Sequence, residues 1–185
     1  VWFSYVDDER DVTRYQGQAF NWIGIDEITN YPTPYVWNYL RSRLRTTDPE
    51  LGMYMRCTAN PGGVGGWWVK KMYLDPNPPD SPFWARDFDT GKVLKYPVNH
   101  PKADEPLFLR KFVPARLTDN PYLFEDGQYE AMLMSLPEIE RKRLLEGDWD
   151  VADGSAFTEF SRETHVVEPF EVPSGWTRIR SGDYG

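Results

Sequence analysis

The stretch Asn21-Trp22-Ile23-Gly24-Ile25-Asp26-Glu27 decides how the rest of the chain is read. An apolar run of strand-forming residues stops at two adjacent carboxylates, the way a buried strand of a nucleotide-hydrolysing sheet delivers acids to its carboxyl edge. The pattern is that of a Walker B box, in which the first acid helps hold Mg²⁺ and the second polarises the attacking water. Asp26 and Glu27 are the candidates for those roles. On this stretch alone a plainer reading stays open: the pair is the polar end of a strand, and Asp26 caps the following turn.

A second stretch of the same kind lies downstream. Residues 53–57 read as a strand that ends in Thr58-Ala59-Asn60-Pro61 and runs into the glycine loop 62–66. Neighbouring parallel strands present their carboxyl ends to one crevice, so both stretches are expected to face one ligand. Thr58 or Asn60 could there sense a γ-phosphate or the attacking water and pass that state to the following loop. The alternative is a tight turn at Asn60-Pro61-Gly62-Gly63. The glycine loop lacks the Gly-Lys-Ser/Thr ending of a phosphate loop, so it is not a Walker A, and no other segment supplies one.

Working outward, residues 1–6 read as a short buried strand, a parallel neighbour of Trp22–Ile25, with 7–14 a helical or looped excursion and Gly17 a turn. Over 35–45, Val36, Tyr39, Leu40 and Leu44 recur at helical spacing. A short helix with Trp67, Trp68, Val69 and Met72 follows the glycine loop. Seven prolines between 75 and 106 rule out a long helix there and leave a looped insertion, with a hairpin of 83–88 against 92–96. Residues 108–115 return to strand character. Asp119-Asn120-Pro121 introduces two helices, 125–135 and 138–146, the second ending at Gly147 in a C′ position. Residues 148–173 form a connector, and 176–181 read as a fresh strand that runs into Gly182-Asp183-Tyr184-Gly185. The start at Val1 without an initiator Met, and the end just as a strand finishes, point to a piece of a longer polypeptide.

Bulk properties exclude some classes. A net charge of −8 on 185 residues argues against a generic cationic DNA-coating protein. Basic residues nevertheless cluster at 41–45, 70–71 and 141–143, each most simply a solvated helix face. No apolar run approaches the ~20 residues that span a bilayer. The single Cys57 cannot form an internal disulfide. Eight Trp are expected as core and domain-packing anchors. His100 and His165 lie in loop-like segments without paired ligand spacing, which suits a surface role.

Taken in order, Tyr15-Gln16-Gly17, Trp22 to Glu27, Arg41-Ser42-Arg43-Leu44-Arg45, Cys57 to Gly63, Asp119-Asn120-Pro121-Tyr122 and Leu144-Leu145-Glu146-Gly147-Asp148-Trp149 resemble the large terminase subunit of tailed bacteriophages. The resemblance covers nearly the whole chain. It implies an α/β fold: part of a RecA-like (ASCE) P-loop ATPase core with a Pro-rich insertion over 1–118, a lid or linker subdomain and connector over 119–173, and the first strand of an RNase H-like nuclease over 174–185.

By that resemblance Asp26 is the Walker B acid on Mg²⁺-ATP, Glu27 the catalytic glutamate, and Thr58-Ala59-Asn60 the motif coupling hydrolysis to movement. Asp183 is the first carboxylate of a nuclease using Mg²⁺ or Mn²⁺. Arg41, Arg43 and Arg45 are candidates for an arginine finger. The implied partners are double-stranded viral DNA, the portal protein, the small terminase subunit and further copies in a ring, with no membrane. The implied place is the host bacterial cytoplasm, at the procapsid portal. The 185 residues alone are expected neither to hydrolyse ATP nor to cleave DNA efficiently. Alternatives are another nucleic-acid-dependent ATPase, such as a helicase-like translocase, and a non-enzymatic portal-docking module.

Overall fold

Two short strands, β1 (Trp22–Ile25) and β2 (Tyr54–Cys57), run parallel with Trp22 opposite Tyr54 and Ile25 opposite Cys57. They belong to a computed structural model that describes residues 1–151, 167 and 170–177. The chain divides into two compact units, Val1–Asp153 and Gly154–Gly185.

β1 is half-exposed rather than fully buried. Ile25 is buried and Ile23 partly so, while Trp22 and Gly24 face outward. The Trp22 indole folds back over Gly24, where an added Cβ would sit 2.9 Å from the ring. Glycine in this strand therefore admits an aromatic ring to its outer face.

The expected strand at 1–6 is not formed. No strand pairs with these residues; side chains hold them instead, with Tyr15 Oη donating to Ser4 Oγ at 2.8 Å and Trp2 edge-on to Tyr15 at 6.0 Å. Val1, Trp2, Phe3 and Tyr5 are exposed, because apolar residues without a backbone ladder have no sheet face to bury. The parallel neighbour of β1 is β2, which the chain reaches through a helix, as parallel pairing requires.

That helix, α1 (Tyr35–Arg41), buries Val36, Trp37 and Leu40. It stops four residues short of its expected end, because Leu44 pairs with Phe20 in an isolated parallel bridge. Phe20 N–H donates to Arg43 O at 3.0 Å and Arg45 N–H to Phe20 O at 2.9 Å.

A 3-10 helix, Glu9–Tyr15, is capped by Asp8 and buries Val12 and Tyr15. On the other side, α2 (Gly66–Val69) continues into a π turn, Lys70–Leu74, which together bury Trp68, Val69 and Met72. Val12, Val36 and Trp68 are fully inaccessible. A fully buried Val supplies about 1.5–3 kcal/mol by the apolar area it removes from water. Trp37 and Trp68 are the core anchors expected of tryptophan, and Trp149 is partly buried against the core; Trp2, Trp22, Trp67, Trp84 and Trp176 are exposed.

In the Pro-rich insertion β3 (Phe83–Trp84) pairs antiparallel with β4 (Leu109–Arg110). The expected hairpin is present in reduced form: Arg86 bridges Val93, and Asp87 N–H donates to Lys92 O at 2.7 Å. The strand expected over 108–115 shrinks to β4. The first of the two later helices is broken into α3 (Pro121–Asp126) and α4 (Gln128–Met134) by Gly127 at φ 65°. Glycine takes that left-handed conformation without steric cost, and a helix cannot continue through it. α5 (Glu138–Leu144) follows, with Gly147 at φ 68° beyond its end, as the C′ assignment requires.

In the second unit the described residues include Phe170 edge-on to Trp176 at 6.1 Å. Asp183, His165 and most of the strand expected over 176–181 lie outside the described residues. Among the described residues no helix is long and apolar enough to cross a membrane.

Candidate functional site

Because β1 and β2 are parallel and in register, the residues that follow them emerge side by side. Thr58 N–H donates to Ile25 O at 3.0 Å, continuing the ladder one step beyond the strands. Thr58 O then accepts from Ile28 N–H at 3.0 Å. Between these two bonds the Thr58 hydroxyl meets the Glu27 backbone and the Asp26 carboxylate. Its Oγ1 accepts from Glu27 N–H at 2.9 Å and donates to Asp26 Oδ1. The proton's place follows from the inventory: a peptide N–H only donates and a carboxylate only accepts.

Glu27 sits at φ 50°, ψ 54°, a left-handed conformation that costs a non-glycine residue about 1–2 kcal/mol. The bonds of Thr58 to the amides of Glu27 and Ile28 hold it there. The turn swings the Glu27 side chain out of the strand direction and over a 3-10 turn, Ile28–Asn30, where Asn30 Nδ2 donates to Glu27 Oε2 at 3.0 Å. Asn30 was not singled out from sequence; the Glu-x-x-Asn spacing across one turn is the signal that finds it. Oε1 of Glu27 and Oδ2 of Asp26 accept no hydrogen bond from a described residue, and both side chains face solvent. Asn60 is also exposed and makes no hydrogen bond to a described residue, so the structure brings Thr58, and not Asn60, to the acids.

The glycine loop is explained by packing. A Cβ on Gly65 would lie 2.0 Å from Tyr31 O, and one on Gly63 2.8 Å from Thr29 O. Gly65 N–H donates to Thr29 O at 2.8 Å, and the Trp68 indole N–H to Tyr31 O at 2.8 Å. The loop after β2 therefore lies directly on the loop after β1. Gly62, at φ 93°, lies under the Arg143 guanidinium, whose Cζ would be 2.9 Å from an added Cβ. Arg143 is buried on α5 and donates from Nε and Nη2 to Val151 O. A basic run on a short helix gave no sign of this in the sequence.

An open cavity of about 670 Å³ borders Asn30 and Tyr31, walled by Asp7, Asp8 and Glu9. Arg10, its one cation among the described residues, is bound to Asp8 at 3.0 Å. A negative wall of this kind repels phosphate, so this cavity is not where a nucleotide's phosphates would rest.

The other candidates have local roles. Arg45 Nη2 donates to Gly17 O and Gln18 O at 2.9 and 3.0 Å, Arg43 lies over Tyr39, and Arg41 is packed between Trp37 and Phe108. His100 stacks on Tyr96 at 4.4 Å and accepts from Lys102 N–H through Nδ1. Asp119 accepts from Arg116 N–H, capping its own turn. Burial pushes the Cys57 thiol up to about 12. Among the described residues no three His, Cys, Asp or Glu side chains converge as a metal cluster. Comparison of the chain with protein-family models, curated proteins and solved structures finds no match.

Proposed function

We propose that this chain carries the acid strand and the coupling strand of an ATP-hydrolysing DNA-packaging motor of the large-terminase kind. The observation that supports it best is the Thr58 hydroxyl, shared between the Glu27 amide and the Asp26 carboxylate at the carboxyl end of two parallel strands. A capped strand end needs none of this: one turn residue would do, without a second strand's hydroxyl or a left-handed glutamate.

Each group then has a task. Glu27, turned outward and steadied by Asn30, offers Oε1 to a water molecule as general base. Asp26 keeps Oδ2 for a cation while Thr58 occupies Oδ1. Mg²⁺ retains waters and takes only one or two carboxylates beside substrate phosphates, so a single exposed Asp26 suits it. When bound, Mg²⁺ would neutralise charge on the phosphates of ATP. Thr58, bonded to the Asp26 carboxylate and to the Glu27 backbone, is placed to register a change at either and to carry it into the loop that follows. Catalysis at these acids also requires a phosphate-binding loop, which the 185 residues do not contain. The proposal extends to viral DNA as the substrate moved, to portal and small-subunit partners in a ring, and to Asp183 as a metal-holding nuclease carboxylate.

In the protein that joins this segment to a phosphate loop, Glu27→Gln is expected to lower ATP turnover by roughly 10²–10⁴-fold and leave nucleotide binding intact. Asp183→Ala is expected to spare ATP turnover and abolish DNA cutting. Wild-type turnover in the Glu27 variant overturns the motor assignment, and retained cutting in the Asp183 variant overturns the nuclease part.

A further inference from the structure

A second cavity, of about 240 Å³, lies away from the strand ends; none of Asp26, Glu27, Thr58 or Asn60 lines it. Three arginines from three distant parts of the chain do: Arg41 at the end of α1, Arg86 in the insertion and Arg110 on β4. Arg110 is only 8% exposed, yet among the described residues its guanidinium makes a single hydrogen bond, a long 3.5 Å contact to Met72 O. Arg41 has a buried Nη1 without a hydrogen-bond partner, and its Nη2 reaches Asn38 Oδ1 only at 3.5 Å. Arg86 gives Nη1 to Gly91 O at 3.2 Å. A guanidinium carries five donors, so most of this set is unspent.

No carboxylate lies within 4 Å of any of the three among the described residues. Asp87, the one acid lining the cavity among the described residues, spends Oδ1 on its own turn, accepting from Asp89 N–H, Thr90 N–H and the Thr90 hydroxyl. Stacking on Trp37, at 4.5 Å for Arg41 and 5.0 Å for Arg110, offsets part of the cost of burying two like charges. It leaves the in-plane donors unanswered. Burial lowers the pKa of both Arg41 and Arg110, and the charge of Arg110 lowers that of Arg41 further, as expected where positive charge is left uncompensated.

We propose that this cavity is a binding site for a phosphate dianion, either inorganic phosphate or the phosphate end of a small phosphomonoester. Planar guanidinium forks match tetrahedral oxyanions, and three arginines lining one cavity supply the charge and donors such a ligand needs. The volume is below the roughly 300–1,000 Å³ of pockets that take drug-sized molecules, so the phosphate end fills it. The site is independent of the motor assignment.

The test is isothermal titration of the 185-residue protein with inorganic phosphate, against chloride at matched ionic strength, and in a second arm with deoxyadenosine monophosphate. Saturable phosphate binding is expected, weakened about tenfold in Arg86→Gln, an exposed residue whose change leaves the core intact. It is expected to vanish in Arg41→Gln with Arg110→Gln, whose folding is checked by circular dichroism. Tighter binding of the mononucleotide than of phosphate identifies a phosphomonoester as the source; equal binding identifies free phosphate. No binding by wild type, or binding unchanged in Arg86→Gln, overturns the site.

Discussion

Replacing Thr58 by Val keeps the β-branched shape and both backbone hydrogen bonds of residue 58, and removes only the hydroxyl. Two interactions go: the bond from Glu27 N–H at 2.9 Å and the bond to the Asp26 carboxylate. The first is a neutral bond worth about 0.5–1.5 kcal/mol net, the second a charged one worth about 1.5–3 kcal/mol. Residues 26, 27 and 58 are exposed, so water replaces much of each, and the low ends apply, a sum of about 2 kcal/mol. Against this, Glu27 loses one of the contacts holding it left-handed, and relaxation returns up to ~1 kcal/mol. The net loss is about 1.5 kcal/mol, or roughly 3–6 °C in Tm for a unit of this size. Urea unfolding followed by circular dichroism measures it, with Thr58→Ser as the control that restores the hydroxyl. A cycle with Asp26→Ala isolates the hydroxyl–carboxylate pair. If Val and Ser at 58 are equally stable, or coupling between 58 and 26 falls below about 0.5 kcal/mol, the shared hydroxyl does not organise the acids.

Gly65→Ala places a methyl 2.0 Å from Tyr31 O at a backbone conformation alanine otherwise accepts, so the effect is purely steric; a loss of about 3 kcal/mol is expected in the same unfolding assay. Gly66→Ala, with nothing within 4 Å, is the neutral companion. The Cys57 thiol, held by burial at about 12, is expected to resist thiol-exchange reagents at pH 8 in the folded protein and to react at once when unfolded. Its folded state keeps a proton that the unfolded thiol gives up near the ordinary thiol value of 9.0, so this contribution to stability is complete below pH 9 and is lost as pH rises towards about 12.

The two strand ends were legible in the sequence because the signal is local: apolar residues, an abrupt change to polar ones, and a connection long enough to be a crossover. That signal predicts adjacency of residues 26–27 with 58, and the register delivers it. It does not say which of Thr58 and Asn60 turns inward, because that depends on the first residue beyond the ladder. Residues 1–6 misled for the opposite reason: a run of strand-forming side chains is only a strand when a partner's backbone lies beside it. Gly127 was absorbed into a helix because periodicity on either side is intact, and only its φ reveals the break. Buried arginines are the hardest to read. Arg110 and Arg143 look like solvated charges in sequence, and their burial depends on aromatic and glycine surfaces contributed from elsewhere.

That last dependence bears on the acids themselves. From Thr58 to Gly65 the chain touches three things in succession: the acids through the Thr58 hydroxyl, α5 through Gly62 beneath Arg143, and the backbone after β1 through Gly63 and Gly65. Missing side chains at 63 and 65 let backbone meet backbone at distances no Cβ would allow, so there is no soft layer between the two loops. A displacement of Thr58 relative to β1 must break its bonds to Ile25, Glu27 and Ile28 together. The acids, the loop and α5 thus adjoin one another along eight residues, so disturbing the packing of Arg143 over Gly62 is expected to reach Thr58 and, through it, the turn at Glu27.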